Sequence, residues 1–446
     1  MATQQGPSTP PSPSSAAGTA GVQSRIATMA AGLVGSEILK IAAEIRTRQR
    51  EGQAICNLTV GDFAPSQFPI PTALKDGIVA ALEAGETNYP PSSGVQELRE
   101  AVARFYAREL KLDYSPNAIL IAGGARPLIY GTYRAVVDPG DKVVYPVPSW
   151  NNNHYCHMVG ARAVEIECGP ESLFLPTRDA LIRELKDARL LCVNSPLNPT
   201  GTAFSAESLR AISEAVVEEN ETRKRTGARP LYMMYDHIYW MLCVDGVEHV
   251  TPVGLVPEVA PYTVFIDGIS KAFAATGLRV GWSAGPVDVI ERMSALLGHV
   301  GAWAPRAEQV ATVPLLDDPS TIRAYLDGFR PAVNARLAAL HQGFEAIRGR
   351  SPALAAMVES LPPMGAIYLT CRIAPFGKRT PSGTVLKTNE DVRAYLLEAA
   401  KFAVVPFQAF GVRGDTGWFR LSVGAVSEAE IADAMPRVGA ALAALS

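Results

Sequence analysis

Short apolar runs alternate with helical patterns between about residues 115 and 285, and they predict a β-sheet whose strands are separated by helices. The runs are ILIA at 119–122, KVVYPV at 142–147, RAVEIE at 162–167, RLLCVN at 189–194, LYMMYD at 231–236, YTVFID at 262–267 and RVGWSAG at 279–285. Most are near-continuously apolar rather than alternating, which is typical of strands covered on both faces. The pattern therefore predicts an open, mostly parallel α/β sheet of seven strands.

The pattern changes to a separate α+β unit after about residue 330. It predicts a helix over 332–348, a strand over 365–373, a polar loop over 376–389, a second helix, strands at 403–406 and 418–423, and a final helix from Ser427. Near the start of the chain, Ser36 is positioned to cap a helix that ends near Arg50, and we expect this helix to join the same unit. The predicted division is a disordered tail over 1–24, an arm with its helix over 25–60, a large domain over 61–329 and a small domain over 330–446.

The composition is that of an ordinary globular protein. Apolar residues make up 48% and charged residues 19% of the 446 positions, which excludes wholesale disorder. The 41 basic and 44 acidic residues give a net charge of -3, so no global field favours nucleic acid or an acidic membrane. No apolar run approaches the roughly 18 residues that span a bilayer. We therefore expect a protein that binds neither nucleic acid nor membrane.

The cysteines and the first residues bear on the compartment. The six cysteines are scattered, with no close pair and no zinc-binding spacing: Cys56, Cys156, Cys168, Cys192, Cys243 and Cys371. They predict buried free thiols in a reducing cytoplasm and no metal site. Residues 1–24 hold no charged side chain and are rich in Pro, Ser, Gly and Ala, which indicates a floppy tail rather than a signal or transit peptide.

The candidate chemistry is concentrated after the strands, where open α/β sheets bind ligands. Lys271 follows an apolar strand, and Arg279 comes eight residues later. A lysine buried there has a lowered pKa and can form a Schiff base with an aldehyde cofactor, although an ordinary surface lysine beside a turn fits the same pattern. Asp236 ends another strand and can hold a pyridine nitrogen protonated, with the Tyr239 phenol nearby. Asp236 could equally be a turn or helix cap.

Three further strand ends carry polar or aromatic groups. Asn198 lies between two prolines after the strand at 189–194, and it presents an amide there. Gly123 and Gly124 open a strand-to-helix turn whose backbone N–H groups can face an anion. Trp150 could stack on a flat ring, or it could simply fill the core.

Taken in order along the chain, these segments resemble the class I and II aminotransferases, the pyridoxal-phosphate enzymes with the aspartate aminotransferase fold. The matching segments are GD at 61, NYPPSSG at 88, GGAR at 123, KVVYPVPSW at 142, NSPLNPTG at 194, DHIY at 236, SKAFAATGLRVG at 270, GAIY at 365 and FRLSV at 419. The resemblance covers about residues 36–445 and is strongest to the bacterial aspartate aminotransferase subgroup. It implies fold type I, with a mostly parallel seven-stranded sheet in the large domain and a smaller α+β domain.

The resemblance also implies roles for single residues. Lys271 resembles the Schiff-base lysine that moves the proton, Asp236 the partner of the pyridine nitrogen, and Trp150 the aromatic stacked on the ring. Tyr239 and Asn198 match the donors to the ring's 3-oxygen. The residues that match the phosphate cup are Gly124, Ala125, Ser270 and Arg279, with Arg126 beside them. Arg420 matches the arginine that grips the substrate α-carboxylate, and Gly61 the loop glycine that closes over substrate. Tyr89 resembles the tyrosine that reaches the phosphate of a neighbouring subunit, so a homodimer with shared sites is implied.

The chain departs from the family at three places. Gly268 stands where many relatives carry a hydroxyl, the segment 217–230 is long and highly charged, and Trp303 is not typical of its segment. We interpret 217–230 as a solvated helix end.

The expected reaction is transamination between an amino acid and a 2-oxo acid. Arg126 could read the distal carboxylate of aspartate or glutamate, or it could merely support the phosphate. Trp303 and Phe68 leave room for an aromatic or aliphatic substrate instead. A β-decarboxylase or carbon–sulfur lyase could use the same lysine. A transcription regulator with an aminotransferase-like domain is disfavoured, because only a short uncharged segment precedes the fold.

Overall fold

Thirteen strands and sixteen α-helices are present in the part of the chain that the structure describes. The structure is a computed structural model that describes residues 25–35 and 37–446. The strands are β1 (Cys56–Asn57), β2 (Ile119–Ala122), β3 (Lys142–Val147), β4 (Arg162–Glu167), β5 (Ala188–Asn194), β6 (Tyr232–Asp236), β7 (Thr263–Gly268), β8 (Gly281–Ala284), β9 (Val358–Ser360), β10 (Tyr368–Ile373), β11 (Phe402–Ala403), β12 (Val405–Pro406) and β13 (Trp418–Ser422).

The α-helices are α1 (Thr28–Ala31), α2 (Glu37–Arg50), α3 (Thr72–Glu83), α4 (Gln96–Glu109), α5 (Ala125–Val136), α6 (Asn152–Val159), α7 (Arg178–Leu185), α8 (Ala206–Thr226), α9 (Pro252–Leu255), α10 (Ile269–Ala272), α11 (Val287–His299), α12 (Arg306–Asp317), α13 (Pro319–Arg348), α14 (Pro352–Met357), α15 (Asn389–Ala400) and α16 (Glu428–Ala443). The chain divides into two units, of which the first is described only over residues 25–34 and contains α1. All other elements lie in the second unit, from Gly35 onward.

Seven strands form one sheet in the order β2-β8-β7-β6-β5-β3-β4. Strand β8 runs antiparallel to both of its neighbours, and the remaining pairs are parallel. The predicted seven-stranded, mostly parallel sheet is confirmed, and each predicted strand begins and ends within two residues of the observed one. The central strands are buried along their length because helices cover both faces, whereas β4 at the edge is largely exposed.

A four-stranded antiparallel sheet, β12-β13-β10-β9, forms the core of the second predicted unit. Helix α2 packs against this region, because Ile41 and Ile45 share a buried cluster with Leu397, Val405 and Phe407. The membership of that helix in a small domain stays a prediction, which this packing supports. The predicted cap, Ser36, lies outside the described residues.

Three details of this later region differ from the sequence prediction. The helix expected over 332–348 begins at Pro319, because Asp318 caps it by accepting hydrogen bonds from the N–H groups of Ser320 and Thr321. The strand expected at 403–406 is split into β11, which pairs with β1, and β12, which pairs with β13. Strand β9 was not predicted, since three residues carry too little periodicity.

The domain boundaries stay predictions, and the one between 329 and 330 lies inside α13. The charged segment at 217–230 contains the end of α8 and its cap. It is not solvated throughout as interpreted from the sequence, because Arg223 is buried and donates to the carbonyls of Leu185 and Arg229. No helix among residues 25–35 and 37–446 is long and apolar enough to cross a membrane.

Candidate active site

Three neighbouring parallel strands bring the predicted polar residues to one edge of the large sheet. Asn194 ends β5 directly beside Asp236 at the end of β6, and its amide donates to the Asp236 backbone carbonyl at 2.7 Å. The amide oxygen of Asn194 in turn accepts from the backbone N–H of Asn198 at 2.8 Å. Strand β7 lies next to β6, and Lys271 follows it in the single turn α10. The carboxyl ends of these strands therefore form one polar cluster.

Lys271 is half-buried, and its Nζ donates to the Gly61 carbonyl at 2.7 Å. Burial lowers the pKa of its ammonium to about 8, because the charged form loses hydration, and Asp62 partly opposes this change. Three cations lower the pKa further: Arg420, Arg126 and Arg279. Since a pKa near 8 leaves about a tenth of the amine neutral at pH 7, Lys271 can act as a nucleophile.

Burial has the opposite effect on Asp236 and raises the pKa of its carboxyl to about 6. The backbone N–H of Ile238 donates to the carboxylate at 3.1 Å, and it and the Lys271 ammonium both favour the ionised form. Asp236 is thus largely ionised at neutral pH. A cation placed against it would lower its pKa again, which is the behaviour required of a group that holds a ring nitrogen protonated.

The start of α5 carries backbone N–H groups that could bind an anion. Gly124 is its N-cap residue, with φ +86° and ψ -179°, and no side chain caps the helix, so the first N–H groups are available. Arg279 donates from Nη2 to the Gly123 carbonyl at 2.9 Å and from Nη1 to the Thr276 carbonyl at 2.8 Å. The φ of +86° favours glycine at position 124, and a Cβ there would lie 2.2 Å from that Nη2, so the Arg279 guanidinium would have to move. Ala125 is the first residue of α5, and Ser270 is buried in α10.

Arg420 is almost fully buried in β13, beside the same cluster. Its Nη2 donates to the Thr59 carbonyl and its Nη1 to the Asn198 side-chain oxygen at 3.4 Å. Its Nε is buried without a hydrogen-bond partner among the described residues. Such a partly satisfied guanidinium is suited to a carboxylate, which can accept two parallel hydrogen bonds.

Trp150 and Arg126 lie together at the edge of the site. The Arg126 guanidinium is 4.7 Å from the centre of the Trp150 ring, and the side chain is exposed. Trp150 is half-buried and packs against two buried apolar clusters. Arg126 lies close enough to lower the pKa of both Lys271 and Arg279, which places its charge near the polar cluster.

Comparison with known proteins agrees with this arrangement. The family model described as aminotransferase class I and II matches residues 53–438. An aspartate aminotransferase of Rhizobium meliloti (strain 1021) is 33% identical over 92% of this chain and 94% of its own length. The chain belongs to the class I and II aminotransferases.

Other relatives support the same family. An aspartate/prephenate aminotransferase of Thermus thermophilus is 31% identical over 84% of this chain and 90% of its own length. Among solved structures, an aspartate aminotransferase from Rhizobium meliloti superposes with a TM-score of 0.84 at 32% identity, covering 95% of this chain and all of that one. An aspartate aminotransferase from Thermus thermophilus, solved with maleate, superposes with a TM-score of 0.81 at 28% identity, covering 93% and 99% of the two chains. The predicted fold type I is confirmed.

Aminotransferases of this family depend on pyridoxal phosphate, and the residues of this chain fit that cofactor. The uncapped start of α5 and the Arg279 guanidinium offer N–H groups to a phosphate, and the missing Cβ at Gly124 keeps the approach open. The ionised Asp236 and the partly neutral Lys271 supply the two remaining groups that such a cofactor requires.

Gly61 lies inside the polar cluster, whereas Tyr89 lies on the surface of the chain. Gly61 lies within the cluster, since a Cβ there would be 2.6 Å from the Tyr368 hydroxyl and 3.6 Å from Arg420 Nη1. Tyr89 follows α3 on the surface and is 81% exposed, and its ring centre lies 5.2 Å from that of Trp303. The single chain therefore leaves Tyr89 facing solvent rather than enclosing it with Lys271.

The aminotransferase site contains groups that the sequence analysis did not assign. Tyr368 donates to or accepts from Tyr239 at 2.7 Å, and Asp62 accepts a hydrogen bond from the Thr276 hydroxyl. The GD and GAIY segments that contain Asp62 and Tyr368 were visible as motifs, but a motif alone does not show which side chains meet. Phe68, by contrast, packs in the core against Phe63 at 5.5 Å.

At position 268, where the family resemblance leads one to expect a hydroxyl, the structure leaves no room for a side chain. Gly268 ends β7 with φ +157°, and a Cβ there would lie 2.7 Å from both the Gly281 Cα and the Val280 carbonyl oxygen. Gly281 itself lies against the Gly124 backbone, where a Cβ would be 2.6 Å from the carbonyl carbon. These backbones approach so closely that side chains are excluded at 268 and 281.

Proposed function

We propose that this aminotransferase transfers an amino group between an acidic L-amino acid, aspartate or glutamate, and a 2-oxo acid. The observation that carries the substrate class is the exposed Arg126 guanidinium beside the Lys271 cluster, where a second carboxylate could pair with it. The relatives named aspartate aminotransferase support this class, and one of them was solved with maleate, a dicarboxylate.

The proposed roles follow from the contacts of each side chain. Bound pyridoxal phosphate supplies an aldehyde and a ring that withdraws electrons. Lys271 binds the aldehyde and moves a proton to and from the substrate α-carbon, and Asp236 keeps the ring nitrogen protonated. Asn198 and Tyr239 donate to the ring oxygen, while Trp150 covers one ring face.

The remaining residues are proposed to bind two anionic groups, the cofactor phosphate and the substrate α-carboxylate. We propose that the phosphate is bound by Gly124 and Ala125 at the start of α5, by Ser270 in α10 and by Arg279 before β8. Arg126 lies beside this set and is proposed to pair with the substrate. Arg420 grips the substrate α-carboxylate through its Nη groups and its free Nε. Gly61 allows the loop that carries it to approach the substrate, since any side chain there would collide with Tyr368.

The experiment that tests the reaction is an amino-donor screen against 2-oxoglutarate with identification of the products. Equal amounts of a new 2-oxo acid and glutamate support transamination, whereas release of carbon dioxide, ammonia or sulfide would indicate a decarboxylase or lyase. Lys271→Ala should abolish turnover, because it removes the amine that is proposed to move the α-proton. Substantial residual turnover would contradict the assignment.

Arg126→Leu tests the substrate class. We expect kcat/KM for aspartate to fall by about 100-fold or more, because the distal carboxylate loses its ion pair, and kcat/KM for phenylalanine to change little. Equal losses for the two substrates would show that Arg126 supports the phosphate instead. An aromatic substrate stays the alternative, since an aromatic aminotransferase of Pyrococcus horikoshii superposes with a TM-score of 0.77 at 26% identity, covering 90% of this chain and 98% of its own.

We also propose a homodimer in the cytoplasm. The exposed Tyr89 supports the homodimer, as does Val300, which is 66% exposed, because exposed apolar residues of this kind can be covered in an assembly. The six cysteines support a reducing compartment, since all of them are free in the structure.

Mixing inactive chains tests the shared site. If Tyr89 serves the partner's site, a hybrid of Lys271→Ala and Tyr89→Ala chains contains one site with both native residues. Activity per Tyr89→Ala chain should therefore rise as excess Lys271→Ala protein is added and allowed to exchange. Activity that only averages the two parent proteins would contradict shared sites.

A further inference from the structure

Tyr368 contacts both halves of the active site and has no role in the scheme above. It is almost fully buried in β10, and its hydroxyl lies 2.7 Å from the hydroxyl of Tyr239. Its ring centre lies 4.9 Å from the Arg420 guanidinium. The backbone of Tyr368 packs closely against Gly201, because a Cβ at Gly201 would lie 2.1 Å from the Tyr368 carbonyl oxygen. Tyr368 thus contacts a proposed cofactor donor and the proposed substrate arginine at once.

The direction of the hydrogen bond between the two phenols follows from their surroundings. Burial raises the pKa of both phenols, and that of Tyr239 is raised well above its ordinary value. For Tyr368 the nearby Arg420 cation opposes burial and is the largest opposing influence. The Arg420 guanidinium lies 4.9 Å from the centre of the Tyr368 ring, closer than Lys271 Nζ lies to the Tyr239 ring at 5.7 Å, and a nearby cation makes a phenol the better donor, so we infer that Tyr368 donates. When it donates to the Tyr239 oxygen, the single Tyr239 proton stays available for a third group.

The third group would be the ring oxygen of a cofactor held by Lys271, whose Nζ is 5.7 Å from the centre of the Tyr239 ring. A hydroxyl that accepts one hydrogen bond becomes a stronger donor in the next, because the bonds polarise one another. Tyr368 therefore strengthens and orients the bond that Tyr239 makes to the ring oxygen.

The ring of Tyr368 has a separate effect on Arg420. The guanidinium carbon lies 4.9 Å from the centre of each of two aromatic rings, those of Tyr368 and Phe410. Aromatic faces attract a desolvated cation, so the two rings hold the guanidinium plane in place. Its Nη2 is also anchored on the Thr59 carbonyl. The orientation of the proposed carboxylate fork thus depends on the ring rather than on the hydroxyl.

We propose that Tyr368 is a positioning residue that links the substrate carboxylate site to the cofactor site: its hydroxyl orients the Tyr239 proton, and its ring orients Arg420. This inference rests on the proposed roles of Tyr239 and Arg420. It predicts that the two effects can be separated, since Tyr368→Phe loses only the hydroxyl, whereas Tyr368→Leu loses both the hydroxyl and the ring.

The test compares wild-type holoenzyme with Tyr368→Phe and Tyr368→Leu. Tyr395→Phe is the matched control, because its hydroxyl also donates to a buried partner, the Ala441 carbonyl at 2.7 Å, but belongs to α15. The first measurement is the pH titration of the absorbance of the bound cofactor in resting enzyme. In Tyr368→Phe a weaker Tyr239 donor leaves more negative charge on the ring oxygen, so the chromophore pKa should rise by about half a unit or more. Tyr395→Phe should titrate as wild type.

The second measurement is the single-turnover half-reaction with the amino donor that wild type converts fastest. The half-saturating donor concentration should stay within about twofold of wild type in Tyr368→Phe and rise about tenfold or more in Tyr368→Leu, because only leucine removes the ring under Arg420. If Tyr368→Leu does not fold, Tyr368→Phe alone still tests the separation through its two readouts.

Two results would overturn the inference while the proposed function stands. One is a wild-type chromophore titration in Tyr368→Phe. The other is a loss of donor affinity in Tyr368→Phe that is tenfold or larger, which would mean that the hydroxyl and the ring act together. A wild-type protein that gains no cofactor mass after borohydride reduction would instead overturn the proposed function, and this inference with it.

Discussion

Replacing Gly268 with alanine should destabilise the protein without adding any chemistry to the site. Its φ of +157° with an extended ψ belongs to a region that non-glycine residues occupy at a cost of about 1–3 kcal/mol. The added Cβ would lie 2.7 Å from the Gly281 Cα, and backbone cannot move aside as a flexible side chain can. Overpacking of this kind costs about 1–3 kcal/mol more. The free energy of unfolding should therefore fall by at least about 2 kcal/mol.

The measurement is urea unfolding of the holoenzyme, followed by circular dichroism and extrapolated to water. Gly277→Ala is the matched control, since Gly277 is exposed in the same segment and a Cβ there meets nothing within 4 Å. It should change the free energy of unfolding by less than about 0.5 kcal/mol. If Gly268→Ala is as stable as Gly277→Ala, the close approach of β7 and β8 does not explain the glycine.

Three further outcomes follow from the charges of the site. The rate at which the cofactor-free protein takes up pyridoxal phosphate should rise about tenfold from pH 7 to pH 9. The reason is that the Lys271 pKa near 8 makes the neutral amine more abundant as the pH rises. A rate that does not change with pH would contradict the lowered pKa. Arg420→Lys should lower kcat/KM for amino donors by about 10- to 100-fold while the cofactor absorbance is retained, since lysine loses one of two parallel hydrogen bonds. Asp236→Asn should bind cofactor yet lose most turnover, measured as kcat, because a neutral amide cannot hold the ring nitrogen protonated.

The large sheet was predictable because its signal is local. Each strand is a short apolar run between polar turns, and this is the pattern expected of strands in a parallel sheet that is buried on both faces. The position of Lys271, Asp236 and Asn198 at one edge followed from the strand ends. The direction of β8 was beyond the sequence, since a run of four residues in β8 reads the same in either direction.

The contacts made by side chains from distant segments were much harder to predict. Tyr368 and Tyr239 are 129 residues apart, and nothing in either segment indicates that their hydroxyls meet. The exposure of Tyr89 likewise depends on packing that periodicity does not report. The start of α13 was missed because Pro331 interrupts the helical pattern, although a proline inside a long helix is tolerated when packing holds the rest.

Helix α13 limits how this protein can be cut or bent. It runs for 30 residues, which is about 45 Å at 1.5 Å per residue, and it is continuous across positions 329 and 330. A fragment that began at residue 330 would start in mid-helix and leave behind three buried side chains, Ile322, Leu326 and Phe329. Helix α13 thus belongs to both segments, 1–329 and 330–446. If the chain is divided at that point, each segment exposes apolar surface, and neither should be soluble by itself.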